Sequence, residues 1–273
     1  MIKKFTTYLT AIKGYAPNTA LGYEKDLTAF ALWIRDHKTG KRWSTITRDD
    51  IDDYIIDCEA RGLKPATTNR HLAAISGIYR YFIRQGLLKE NPCKYESRRK
   101  VAKTLPNTIP TDDLKRAYES AYGATKVMIG LLATTGIRIQ ELLDIAWEDI
   151  DFQHHTIRIN GKGAKERIVY TTPEALATLQ ECQAIQENTG RVFTCTQREA
   201  RTMIWEHLRH YSKAPQLSPH AIRHTYATNL ASKGINVTTI AGILGHNQIA
   251  TTQKYIDMTQ TDYATISRQN NFI

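Results

Sequence analysis

The chain has no long apolar run. No segment reaches the roughly 18 consecutive apolar residues that a membrane-spanning helix needs, so no membrane association is expected. Cysteine is sparse: Cys58, Cys93, Cys182 and Cys195 are scattered, with no C-x-x-C pair. That argues against a disulfide framework or a zinc site and for reduced, mostly structural thiols. The start, Met1-Ile2-Lys3-Lys4-Phe5, has neither an apolar signal core nor a small-residue cleavage site, so a cytoplasmic protein is expected. Internal repeats and low-complexity segments are absent. A P-loop is also missing, because Gly161-Lys162-Gly163 lacks its glycine spacing and following Ser or Thr. Acidic charge is in deficit, with 27 Asp and Glu against 37 Lys and Arg.

The resulting net charge of +10 favours a polyanionic partner. Its distribution is uneven. Residues 1–110 hold 20 basic against 11 acidic side chains, and residues 111–273 hold 17 against 16. The first part thus has the excess expected of a module that grips DNA through its backbone.

At 273 residues the chain has room for two domains. Residues 1–92 read as four helices with short loops, a small helical domain. Phe5, Tyr8, Leu9 and Ile12 face inward on the first; Tyr23, Leu27, Phe30 and Ile34 on the second. Thr47-Arg48-Asp49-Asp50 is a capped start for the third, and Pro65 opens the fourth. Early on that fourth helix stand Thr67, Thr68, Asn69 and Arg70, residue types that meet phosphates and base edges. An exposed polar helix end would have the same composition. Residues 93–110, with Arg98-Arg99-Lys100, Pro106 and Pro110, read as a basic linker. Its charges suit a DNA backbone or a solvated connector equally.

Residues 111–273 form the second domain. Thr111 is expected to cap a helix, and Lys126–Thr134 is apolar enough to be a buried one. Between Trp147 and Thr171 the period changes to three short strands: 149–152, 155–159 and 166–170. The last two flank a tight turn that lifts Lys162 onto a hairpin tip, with Lys165 beside it. Helices over 173–187 and 199–211 follow. The fold class is therefore mainly α with a small three-stranded antiparallel sheet.

The chemistry concentrates at the end. Ser218-Pro219 starts a helix on which His220 and Arg223, three apart, share a face. Val237–Leu244 forms another helix, stopped by Gly245, with His246 beyond it and Tyr255 nine residues later. An Arg fork suits two phosphate oxygens. His exchanges protons near neutrality, and Tyr can become a covalent nucleophile once a base or positive field ionises it. Arg138, after Thr135-Gly136, has Glu141 three residues on to orient it. His220 and His224 at i and i+4 raise the rival reading of a metal-dependent hydrolase. However, Ala221 stands where that motif needs Glu, and Arg223 would repel the ion. A DNA-binding regulator without chemistry and a type IB topoisomerase are two more rivals.

In order and spacing these residues resemble the tyrosine site-specific recombinases, the phage integrase family, and its Xer-type members most. Arg138 matches the first arginine, Lys162 the hairpin lysine, His220 and Arg223 the H-x-x-R box, Leu244-Gly245-His246 the L-G-H segment, and Tyr255 the nucleophile. Asn18-Thr19, Tyr23, Asp26-Leu27 and Thr68-Asn69-Arg70 resemble the core-binding domain. The resemblance implies a helical core-binding domain (1–92) followed by an α+β catalytic domain (111–273). It also implies strand exchange through a 3′-phosphotyrosyl intermediate, with no metal and no cofactor. The implied partners are double-stranded DNA with paired sites and a homotetramer on two duplexes. In such tetramers a C-terminal tail is often passed between subunits, and Thr261–Ile273 is long enough for that.

Overall fold

The computed structural model describes residues 1–93, 99–101, 107–161, 166–183 and 190–245. The chain divides into two compact units, Met1–Lys103 and Thr104–Ile273.

Among the described residues the first unit is built from four helices: α1 (Ile2–Ala11), α2 (Pro17–His37), α3 (Arg48–Ala60) and α4 (Pro65–Arg84). Proline at the first position opens α2 and α4, where its missing N–H costs nothing. Thr47 caps α3: its hydroxyl accepts from the Asp50 N–H, and the Asp50 carboxylate accepts from the Thr47 N–H at 2.9 Å. Phe5, Leu27, Phe30, Ile51, Tyr54, Ile75, Ile78 and Phe82 fill the core, each contributing about 1.5–3 kcal/mol relative to exposure. Ile12, expected inward, is exposed because α1 ends at Ala11, one residue before it.

The second unit is wrapped around α6 (Gly123–Thr135), whose Val127, Met128, Ile129, Leu131 and Leu132 are buried. Against it pack α5 (Thr111–Ser120), α7 (Ile139–Leu143), α8 (Pro173–Gln183), α9 (Gln197–Leu208) and α10 (Pro219–Ser232). The last described helix, α11 (Val237–Leu244), packs on α10. Thr111 lies inside α5 and does not cap it, since its hydroxyl accepts from Asn229 of α10. The sheet is antiparallel, in the order β1 (Ile150–Asp151), β2 (Thr156–Asn160), β3 (Glu166–Tyr170). Ile157, Ile159 and Val169 face the core, and Ile168 and Tyr170 face out. The first strand is shorter than expected because Asp149 belongs to a 3₁₀ turn and pairs with Arg158.

The stretch expected as a linker divides in its described parts. Cys93 and Arg99 belong to the first unit. Ile109 is buried in the second, its N–H donating to the Thr225 hydroxyl of α10 at 2.8 Å.

Candidate active site

α6 ends at Gly136 in the left-handed conformation, φ +63°. A β-carbon there would lie 2.3 Å from the Tyr226 ring and 2.8 Å from Leu244, so only glycine fits this turn. The turn aims the Gly136 carbonyl at Arg223, whose Nη1 donates to it at 2.7 Å. Arg223 Nη2 donates to the Leu244 carbonyl at 2.8 Å. Although charged, Arg223 is only 2% exposed, a burial that such partners make tolerable.

The same turn delivers Arg138 to the start of α7. Glu141 accepts the Arg138 backbone N–H at 2.8 Å and its Nη1 at 2.7 Å, while Nη2 donates to the Gly245 carbonyl at 3.1 Å. Its side chain keeps 44% exposure. Burial raises the Glu141 carboxyl, but hydrogen bonds from Arg167 and from the Arg138 backbone outweigh it and hold the pKa at about 2. Glu141 is therefore a permanent anion between two guanidinium groups.

α10 begins as expected, with Ser218 Oγ accepting from the Ala221 N–H at 3.1 Å and Pro219 at the first position. This start presents His220 to a cleft of about 530 Å³ lined also by Arg138, Arg223, Gln197 and Arg201. Partial enclosure of the ring, then the charges of Arg223, Arg138 and Arg201, lower the His220 pKa below its ordinary value. The ring is therefore neutral at physiological pH and able to accept a proton. His224 stacks edge-on against it, 4.3 Å between centroids. Among the described residues no group of three His, Cys, Asp or Glu could hold a metal ion. A larger depression of about 790 Å³ lies in the first unit, lined by apolar residues including Trp43, Phe82 and Leu88 and by Arg35, Lys38, Lys41 and Arg42, and so is distinct from the cleft of Arg138, His220 and Arg223. It is not the catalytic candidate.

Four expected site residues thus come together: Arg138, Glu141, His220 and Arg223. Lys162, Lys165, His246, Tyr255 and Arg98 lie outside the described residues, as does the tail from Thr261. Two further residues line or support the site without having been assigned a role from the sequence, although Arg167 stands in the Lys165-Glu166-Arg167 run that follows the hairpin lysine. Arg167 is bound to Glu141, and strand alternation could have revealed it, because it shares the inward side of β3 with Val169. Arg201 lines the cleft without a hydrogen-bond or ion-pair partner among the described residues. No motif distinguishes it from the neighbouring Arg198 and Arg209.

On α4, one expectation is corrected. Thr68 is 1% exposed with its hydroxyl oxygen sealed from solvent, whereas the equally buried Arg223 lines a cleft, so Thr68 cannot offer its hydroxyl to DNA. It precedes Leu72 by one turn and so belongs to the buried stripe of Leu72, Ile75 and Tyr79. Asn69 binds the Arg99 backbone in both directions, at 2.9 Å each. Arg99 pairs with Glu59. Arg70 holds Asp26 with two bonds, 2.7 and 2.8 Å, and stays 54% exposed. Thr67 is half-buried and Lys100 exposed.

Residues 2–86 match the model of the phage integrase N-terminal SAM-like domain, and residues 101–262 match that of the phage integrase family. The tyrosine recombinase XerD of Pseudomonas aeruginosa is 29% identical, covering 93% of this chain and 91% of its own. XerD of Oceanobacillus iheyensis is 27% identical, over 95% and 94%. Among solved structures, XerH site-specific recombinase bound to palindromic difH substrate superposes with a TM-score of 0.77 at 17% identity, covering 97% of this chain and 84% of its own. A lambda integrase dimer bound to a COC′ core site superposes with a TM-score of 0.73 at 18% identity, covering 100% and 78%. With its own family model matched over more than half the sequence, this chain belongs to the phage integrase family.

Proposed function

We propose that this chain is a tyrosine-type site-specific DNA recombinase that cuts and rejoins DNA strands through a covalent 3′-phosphotyrosyl intermediate. The Tyr255 phenol oxygen attacks the scissile phosphorus, and the bond from phosphorus to the 5′ oxygen breaks. His220, held neutral, takes the phenol proton. Lys162 gives a proton to the leaving 5′ oxygen. Arg138 and Arg223 bind the phosphate oxygens on which charge builds up, the kind of electrostatic stabilisation that usually dominates such a step. His246 donates a hydrogen bond to the same phosphate. A 5′-hydroxyl from the partner duplex then attacks the phosphotyrosine and returns the phenol. Because the ester is exchanged and not hydrolysed, no ATP enters. Two arginines and a lysine supply the positive charge that a metal supplies elsewhere, and no cofactor is needed.

The observation that supports this reading is the convergence of Arg138, His220 and Arg223 on one cleft, with Glu141 held ionised behind Arg138. The relatives called tyrosine recombinases and the superposed proteins bound to DNA sites favour the same substrate. In the first unit, Thr67, Lys100, Arg98 and the exposed edge of Arg70 contact the DNA backbone, and Lys165 does so beside Lys162. The outcome is integration, excision, inversion or resolution, set by how the sites are arranged. A homotetramer on two duplexes, in the cytoplasm on the nucleoid, is the working assembly, with the C-terminal tail exchanged between subunits.

The test is a nicked suicide duplex, from which the 5′-hydroxyl strand is lost after cleavage. The native chain is expected to accumulate covalent protein–DNA adduct, and Tyr255→Phe to bind the duplex equally well without forming any. Adduct formed by Tyr255→Phe would sink the assignment. Cleavage abolished by a chelator would favour a metal-dependent hydrolase instead.

A further inference from the structure

Strand β3 carries an arginine that the proposed reaction leaves unused. Arg167 donates Nη1 to Glu141 Oε1 at 3.1 Å, Nη2 to Glu141 Oε2 at 2.8 Å and Nε to the Ile243 carbonyl at 3.2 Å. Its side chain is 16% exposed, against 44% for Arg138. Its donors are thus turned inward, onto other parts of the site.

Those parts meet at the C-terminal end of α11. Three arginines from three segments take three successive carbonyls there: Arg167 takes Ile243, Arg223 takes Leu244 and Arg138 takes Gly245. The last carbonyls of a helix have no partner within it and carry the negative end of its dipole, so cations settle there. Gly245, at φ +63°, brings its backbone close to Arg167, and a β-carbon on it would stand 3.0 Å from Nη1. The helix end is seated on the Arg167 guanidinium.

We infer that Arg167 is a positioning residue for strand cleavage. It holds one side of the Glu141 carboxylate and the Ile243 carbonyl, and so fixes both the anion that aims Arg138 and the helix end on which Arg138 and Arg223 rest. The inference deepens the proposed function and rests on Arg138 being a phosphate clamp. A carboxylate at 8% exposure cannot stay charged without paired donors. Arg167 supplies two of them, and Arg138 supplies its backbone N–H and one guanidinium N–H. Without Arg167, the free oxygen lone pairs of Glu141 draw the Arg138 guanidinium fully inward, away from the phosphate.

The experiment measures duplex binding and single-turnover cleavage at saturating DNA for the full chain, for four variants (Arg167→Met, Arg167→Lys, Glu141→Gln and the Arg167→Met/Glu141→Gln double) and for Arg138→Ala and Tyr255→Phe as controls. Arg167→Met is expected to bind DNA within about twofold of native yet to cleave on the order of 100-fold more slowly, the cost of a misplaced catalytic group. Arg167→Lys restores part of the rate, since one donor still reaches the carboxylate. The double variant is no slower than the slower single one, because both changes break the same link. Should Arg167→Met not fold, Arg167→Lys carries the same test with a smaller deficit. Native-like cleavage by either Arg167 variant, a loss that falls entirely on DNA binding, or additive losses in the double variant would overturn the inference. If Arg138→Ala and Tyr255→Phe still cleave, the proposed function itself fails. If they do not and Arg167→Met cleaves normally, only this inference fails.

Discussion

A histidine opening onto a cleft among three arginines is a base whose strength is set by its surroundings. Partial enclosure and then the charges of Arg223, Arg138 and Arg201 depress the His220 pKa from its ordinary 6.5. In the proposed reaction the neutral ring takes the phenol proton, so cleavage is expected to fall as the pH falls through that lowered pKa. The acidic limb of kcat/KM, which reports the free enzyme, is therefore expected below pH 6.5. A limb above 6.5 in a cleavage assay from pH 4.5 to 8 would contradict the assignment. At this scale Arg138, Glu141, His220 and Arg223 were legible, because each belongs to a motif with fixed spacing. For Arg167 strand alternation showed only an inward side; its partners were not legible, since Glu141 lies 26 residues away and the helix end 76. Thr68 was misjudged because its residue type was weighed without its helical phase, which puts it under Leu72.

Elements meet the site through their ends. The turn at Gly136 closes α6, starts the segment bearing Arg138 and supplies the carbonyl for Arg223. Gly136→Ala is expected to destabilise the chain by about 2–4 kcal/mol, combining the left-handed backbone with overpacking against Tyr226. A urea melt checks this, and a loss under about 0.5 kcal/mol would show that the turn relaxes freely. Caps made by neighbouring residues were readable beforehand: Thr47 with Asp50, Ser218 before Pro219, Gly245 after Leu244. Thr111 was misread because Asn229, 118 residues later, takes its hydroxyl. The strands were found by alternation, but the length of β1 was not, since Asp149 serves a turn and a cross-strand ion pair.

For the whole molecule, the uneven charge sets how DNA is held. The basic excess lies in residues 1–110, while the near-neutral remainder brings three arginines, Arg138, Arg201 and Arg223, to one cleft. Affinity for a duplex is expected to fall steeply with salt, by roughly a thousandfold or more between 50 and 200 mM if about six phosphates or more are neutralised. A nearly flat salt dependence in a titration would mean that the basic surface does not lie on DNA. The expected linker is the feature that composition described least well. Its described ends are tied into the units they adjoin, through Asn69 to Arg99 and Thr225 to Ile109, and such tertiary bonds leave no periodic trace.

The central claim is that one phenol, that of Tyr255, carries the broken strand. The adduct trapped on a nicked duplex, digested with nuclease and trypsin, should yield the peptide Tyr255–Arg268, which contains Tyr255 and Tyr263. Fragmentation by mass spectrometry is predicted to place a 3′-linked nucleotide on Tyr255. A nucleotide on Tyr263 or on any other residue, or a cleaved strand bearing no protein, would contradict the account.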